Sequence, residues 1–142
     1  MEMNELYNQI IVENSRAPWN RRRVEGATVS LEGVNPSCGD DIVLELRIED
    51  GIVEDAGFVG DGCAISQASA SLMIDLIKGK TVEEARKRLN LFLAMIKGEM
   101  ADQEAVDMLE DAAALQGVSH MPARVKCAVL AWHTLEEALE KR

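Results

Sequence analysis

Ile42, Leu44, Leu46 and Ile48 alternate with Val43, Glu45, Arg47 and Glu49, and the run ends at Asp50-Gly51. Successive side chains of a strand point to opposite faces, so this pattern requires a strand with one buried face. Asp-Gly supplies the positive backbone angles of a tight hairpin turn, which predicts an antiparallel return over 52–60. A shorter run, Ala27–Leu31, reads as a first strand, followed by a loop over 33–41. Residues 27–60 are thus expected to form a three-stranded antiparallel sheet. Its middle strand starts where its third strand ends, so positions 38 and 63 should lie at the same end.

Outside this region the hydrophobic period is helical. Leu6, Tyr7, Ile10, Ile11 and Asn14 predict a first helix over 4–14, stopped before Pro18 because proline pushes its predecessor out of the α region. Residues 64–77 are rich in Ala, Ser, Leu and Ile and stop before Gly79, which suggests a helix packed closely against another surface. Thr81 and Glu84 have the form of a capping box. The helix they open presents Ala85, Leu89, Phe92 and Ile96 and ends near Gly98. A further helix is expected over 102–115, with Glu104, Asp107, Glu110 and Asp111 on its exposed side, then a loop bracketed by Gly117 and Pro122. Pro122 suits the first turn of a last helix. Its stripe reads Val125, Val129, Trp132, Glu136 and Leu139, widened by Ala128 and Leu135. The predicted fold class is α+β: a small three-stranded antiparallel sheet covered by about five helices. A single compact domain over 1–142 is expected, with its helical region over 64–141, and this length suffices for a core without a stabilising metal.

The chain carries 15 basic against 25 acidic residues, a formal charge of -10, which argues against nonspecific nucleic-acid binding. No apolar run approaches the roughly 18 residues of a membrane span. The first residues lack the basic and apolar regions of a secretory signal, and free thiols suit a reducing compartment, so a cytoplasmic location is expected. One basic run, Arg21-Arg22-Arg23 with Arg16 before it, reads either as a solvated face or as a patch that docks a partner near the cysteine-bearing sheet end.

Three cysteines cannot all pair within one chain. Cys38 stands in Ser-Cys-Gly-Asp and Cys63 in Gly-Asp-Gly-Cys-Ala, both poor settings for a packing cysteine, while Cys127 follows Arg124 by three residues in an amphipathic segment. Three thiolates with the Asp40 carboxylate would make a four-coordinate site for a soft or borderline metal. Gly62 permits a special backbone angle before Cys63, and a helix start there would favour thiolate over thiol. The spacings match no compact zinc-finger pattern, so such a site would be assembled by tertiary folding. Burial of each cysteine as a small apolar residue stays open, and His120 and His133 are alternative ligands.

Three ordered motifs carry a resemblance: Asn35-Pro36-Ser37-Cys38-Gly39-Asp40, the run Gly60-Asp61-Gly62-Cys63-Ala64-Ile65-Ser66-Gln67-Ala68-Ser69-Ala70-Ser71, and Pro122-Ala123-Arg124-Val125-Lys126-Cys127. Over nearly its whole length the chain resembles the U-type iron–sulfur cluster assembly proteins, the IscU/SufU and NifU N-terminal-like family. The resemblance implies that Cys38, Asp40, Cys63 and Cys127 bind zinc, or alternatively iron or a transient [2Fe–2S] cluster. Scaffold-type members carry histidine before the third cysteine; here Lys126 stands there, as in the SufU branch, along with a longer helical stretch after Gly79. That branch implies a zinc-dependent sulfurtransferase that takes persulfide sulfur from a SufS-like cysteine desulfurase and relays it to downstream iron–sulfur assembly or acceptor proteins. The alternative is a non-enzymatic scaffold that builds and transfers a [2Fe–2S] cluster. Cys38, in a loop between Pro36 and Gly39, is the expected nucleophile. Arg124 is expected to balance the anionic site, Asp40 to be the fourth ligand, and Cys63 and Cys127 to anchor the metal.

Overall fold

The hairpin forms where the alternation places it. β2 (Asp40–Glu49) and β3 (Ile52–Asp61) pair antiparallel, with Glu49 opposite Ile52. Asp50 and Gly51 turn the chain at φ of +52° and +75°, the paired positive angles that Asp-Gly tolerates. This computed structural model describes residues 3–16, 18–37, 39–99 and 106–141, the side chains of residues 3–8 excepted. The three-stranded sheet has the order β1 (Val29–Asn35), β2, β3 and is entirely antiparallel. Ile42, Leu44 and Leu46 lie on its inner face with Ala56 and Phe58, all essentially buried.

β1 corrects the expectation of a strand over 27–31 and a loop over 33–41. It spans Val29–Asn35, with Gly33 opposite Ile42 and Asn35 opposite Asp40. Gly33 is not a loop signal but a packing signal. A Cβ there would collide with Thr134 Oγ1 and come within 3.4 Å of Leu130 Cδ1, so glycine lets the last helix lie directly on the strand. The connection between β1 and β2 therefore shortens to residues 36–39.

α1 (Met3–Arg16) packs on α2 (Ala64–Ile77). α2 is buried nearly all round and ends as Lys78 turns extended and Gly79 takes φ +81°. α3 (Val82–Ile96) begins at Thr81, whose Oγ1 accepts the Glu84 N–H at 3.1 Å. That is half of the expected capping box; the Glu84 carboxylate is engaged instead by Arg88, 3.2 Å away. The last helix, α4 (Pro122–Glu140), packs against α2, α3 and β1.

Two further helical expectations are corrected. Residues 102–105 of the helix expected over 102–115 lie outside the described residues. The rest is no continuous α-helix: a 3₁₀ helix spans Glu110–His120 and runs through Gly117, where a loop was expected. Ala112, Leu115 and Val118 recur every third residue and are buried, the period that a 3₁₀ helix puts on one face. In α4 the buried stripe is rotated from the one expected. Cys127, Ala128, Ala131, Trp132, Leu135, Ala138 and Leu139 face inward, whereas Val125 and Val129 are half-buried and Glu136 is exposed. Alanines admit the close approach of α2, so they displace the bulkier valines from the contact.

A segment from Asn20 to Thr28 crosses the outer face of the sheet. Asn20 O accepts the Phe58 N–H at 3.0 Å, Glu45 Oε1 accepts the Val24 N–H at 3.0 Å, and Leu46 O accepts the Thr28 N–H at 2.8 Å. Glu45, outward by the alternation, is buried for this reason. Two members of the basic run serve the same strap. Arg22 pairs with Asp55, which Lys78 also approaches at 3.3 Å, and Arg23 pairs with Glu45 at 3.3 Å. Asp55 stands six residues before the Asp61 end of β3, about 20 Å along a strand. Arg22 thus reaches away from the cysteine-bearing end of the sheet.

Candidate functional site

Asp40 opens β2, Cys63 follows the end of β3 and Cys127 lies in the second turn of α4. Antiparallel pairing brings the first two to one end of the sheet, and α4 crosses that end. One carboxylate oxygen of Asp40 and the two Sγ atoms all lie within 4.8 Å of one another, the one such group of potential ligands among the described residues. Cys38 lies outside the described residues; the flanking Asn35 and Asp40 are paired across the hairpin.

Asp40 is fully buried. Its Oδ1 accepts the Cys63 N–H at 2.8 Å, while Oδ2 has no hydrogen-bond partner among the described residues. A buried carboxylate oxygen without a partner costs stability unless a cation compensates it. A buried carboxylate with such an oxygen, grouped with two thiols, fits a borderline metal with mixed sulfur and oxygen ligands. Gly62 makes the approach possible: a Cβ there would meet Ser66 Oγ and lie 3.0 Å from Asp40 Oδ1.

Cys63 is the N-cap of α2, and its Sγ accepts the Ser66 N–H at 3.4 Å; Gly62 before it takes no positive φ, so the special angle expected there is not used. Ser66 Oγ donates to Cys63 O at 3.1 Å and Gln67 Nε2 to Gly62 O at 2.7 Å, holding the turn that presents the thiol. Cys127 is 3% exposed and its Sγ lies 3.8 Å from Ala123 O. Asn35 Nδ2 approaches the same sulfur at 4.0 Å. Asn35 stands in the first motif with no role legible there, because its place at the buried end of β1 opposite Asp40 follows from strand register alone.

The remaining candidates separate from this group. Arg124 is exposed, one turn before Cys127, and Lys126 is exposed beside it. His120 and His133 are both exposed, and His133 Nδ1 lies 3.7 Å from Glu136 Oε1; neither joins the ligand group. On the outer side of this sheet end, Asp41 stands opposite Asp61. Glu32 has its carboxyl pushed above the usual range, chiefly by a hydrogen bond with Asp41 and by that residue's charge. No helix among the described residues is long and apolar enough to cross a membrane.

Residues 6–128 match the family model described as NifU-like N terminal domain. The chain is 44% identical over 136 residues to the iron–sulfur cluster assembly scaffold protein IscU of Thermotoga maritima, covering 96% of this chain and 94% of that protein. It is 43% identical over 139 residues to the zinc-dependent sulfurtransferase SufU of Bacillus subtilis, covering 98% and 92%. Among solved structures, a putative iron–sulfur cluster assembly scaffold protein for the SUF system from Fervidobacterium islandicum superposes with a TM-score of 0.87 at 36% identity, covering 96% of this chain and 98% of that one.

Proposed function

The chain belongs to the NifU-like N-terminal domain family, which includes IscU and SufU, and from that premise we propose that it accepts persulfide sulfur from a cysteine desulfurase at a zinc-bound cysteine site. The sulfur is then relayed for iron–sulfur cluster assembly. The observation that carries this reading is the buried Asp40 carboxylate, whose Oδ2 has no hydrogen-bond partner among the described residues, grouped with the sulfurs of Cys63 and Cys127. Those three residues, with Cys38 from the same motif as Asp40, are the proposed ligands. Zinc held there would keep the thiolates deprotonated at neutral pH and restrain their reactivity.

Cys63 and Cys127 are the proposed anchors, because one caps α2 and the other faces the core from α4. Cys38 is the proposed acceptor. It belongs to the connection 36–39, where Gly39 takes φ +72° and a side chain would meet nothing within 4 Å. The Cys38 thiolate attacks the outer sulfur of the donor persulfide; the donor's S–S bond breaks, and its electron pair leaves on the donor cysteine as thiolate. Cys38 then carries the sulfane sulfur. Sulfur is conserved and no outside oxidant or reductant is consumed. Arg124, exposed one turn before Cys127, balances the negative charge of the site during this exchange.

A scaffold reading is favoured by the same mixed ligand group, which suits a [2Fe–2S] cargo as well, and by the scaffold role of the Thermotoga relative. The two readings part in one experiment. Purified protein is assayed for zinc, then offered labelled sulfur by a desulfurase and, separately, iron and sulfide after metal removal. Sulfur acceptance with zinc retained supports the transferase; cluster formation and donation only without zinc supports the scaffold.

A further inference from the structure

We infer that Ser69 is a positioning residue of this site, setting the reach between Cys63 and Cys127 through a buried hydroxyl clamp between α2 and α4; its importance for metal and sulfur rests on the function proposed above. Ser69 and Trp132 are both fully buried. Ser69 Oγ donates to Ala128 O at 2.5 Å and accepts the Trp132 Nε1–H at 2.9 Å. Ala128 directly follows Cys127, and Ser69 lies on the helix that Cys63 caps. One hydroxyl is therefore held by two groups one turn apart on α4, which fixes both the translation and the rotation of that helix on α2. Trp132 is in turn stacked on Phe92 of α3, with ring centroids 4.0 Å apart and planes 7° from parallel.

The packing around the clamp explains why it is needed. Ala68 and Ala70 on α2, and Ala128 and Ala131 on α4, are 0–1% exposed. Contacts between such short side chains offer shallow ridges and grooves, so they permit close approach without specifying register. The polar clamp supplies the register that the alanines do not. Ser71, the neighbouring buried serine, is used otherwise: its hydroxyl meets Asn14 and Asn20. A displacement of α4 by a fraction of an ångström passes directly to Cys127, and a metal with bonds of about 2.3 Å to sulfur tolerates little of it.

The test uses the full chain in a Cys38→Ser background, so that Cys63 and Cys127 are the two remaining thiols. In metal-free protein their effective molarity is read from equilibrium with glutathione disulfide, which is reduced to two glutathione thiols as the internal disulfide forms. Ser69→Ala should lower it about tenfold. Trp132→Phe, which keeps the Ser69–Ala128 bond, should stay within about threefold of the parent. Val53→Ala, a core change on β3 at the far end of the sheet, serves as a destabilised control and should leave the value unchanged. Equal values for Ser69→Ala and its parent, or an equal fall in Val53→Ala, would overturn the inference. Zinc affinity, measured on the chain with Cys38 intact and on Ser69→Ala made in it, separates the two proposals. A Cys38-containing chain that binds no zinc, while Ser69→Ala still lowers the effective molarity in the Cys38→Ser background, refutes the metal reading and leaves the positioning role standing.

Discussion

Asp40 performs two tasks with its two oxygens, and they separate by substitution. Oδ1 holds the Cys63 N–H, and Oδ2 is the buried atom that calls for a cation. Asp40→Asn keeps an oxygen for the backbone bond and removes the charge. It should leave the fold intact while zinc leaves about tenfold faster, measured against a competing chelator. Asp40→Ala should be more labile still, and an unchanged rate in both would remove Asp40 from the ligand set. Cys127→Ser exchanges a thiol for a more polar hydroxyl at a 3% exposed position. It should lower unfolding free energy by about 1–2 kcal/mol, read from urea midpoints, together with the loss of metal retention. At this scale the sequence was generous: the Asp40, Cys63 and Cys127 motifs lie 23 and 64 positions apart, and only the hairpin register was needed to bring the first two together. Asn35, Ser66 and Ser69 escaped notice because their roles depend on what stands across from them, which no local pattern records.

Among the elements, α4 decides how much of the site the fold controls, since it carries Cys127 and rests on β1 through Gly33. Gly33→Ala drives a methyl group into Thr134 and should cost about 1–3 kcal/mol, read by urea unfolding. Adding Thr134→Ala to it should recover part of that loss; no recovery would mean that the strand, not the helix contact, resists the side chain. β2, β3 and α3, whose periods or turns mark them, and α2, an apolar run stopped before Gly79, were legible to within a residue or two. Those that were not share a physical cause. Gly33 reads as a break but is a close contact, Gly117 reads as a loop but sits in a 3₁₀ helix, and the α4 stripe follows small residues rather than the largest apolar ones. Each is settled by the neighbour's shape, whereas sequence periodicity reports only hydrophobicity.

For the whole molecule, the strap across the outer sheet face links charge to stability. The hydrogen bond from Arg22 holds Asp55 down to about 2, helped by the Ala56 N–H and Lys78. A carboxyl depressed in the folded state stabilises above its unfolded value of 3.8, and that contribution disappears as the pH falls through about 2. With Arg22 partly exposed, solvent screening leaves it on the order of 1 kcal/mol. Arg22→Gln should therefore be less stable than the parent near neutral pH, and the difference should close towards about pH 2; a difference that persists in acid would assign Arg22 a packing role instead. The proposed function turns on where sulfur goes. Zinc-loaded protein, incubated with a cysteine desulfurase and labelled cysteine and then read by mass spectrometry of its peptides, should carry the sulfane label on Cys38, with zinc retained near one per chain and the label absent in Cys38→Ser. Label on Cys63 or Cys127 of the intact zinc protein, or no label at all while the metal-free protein assembles and donates a cluster, would contradict it.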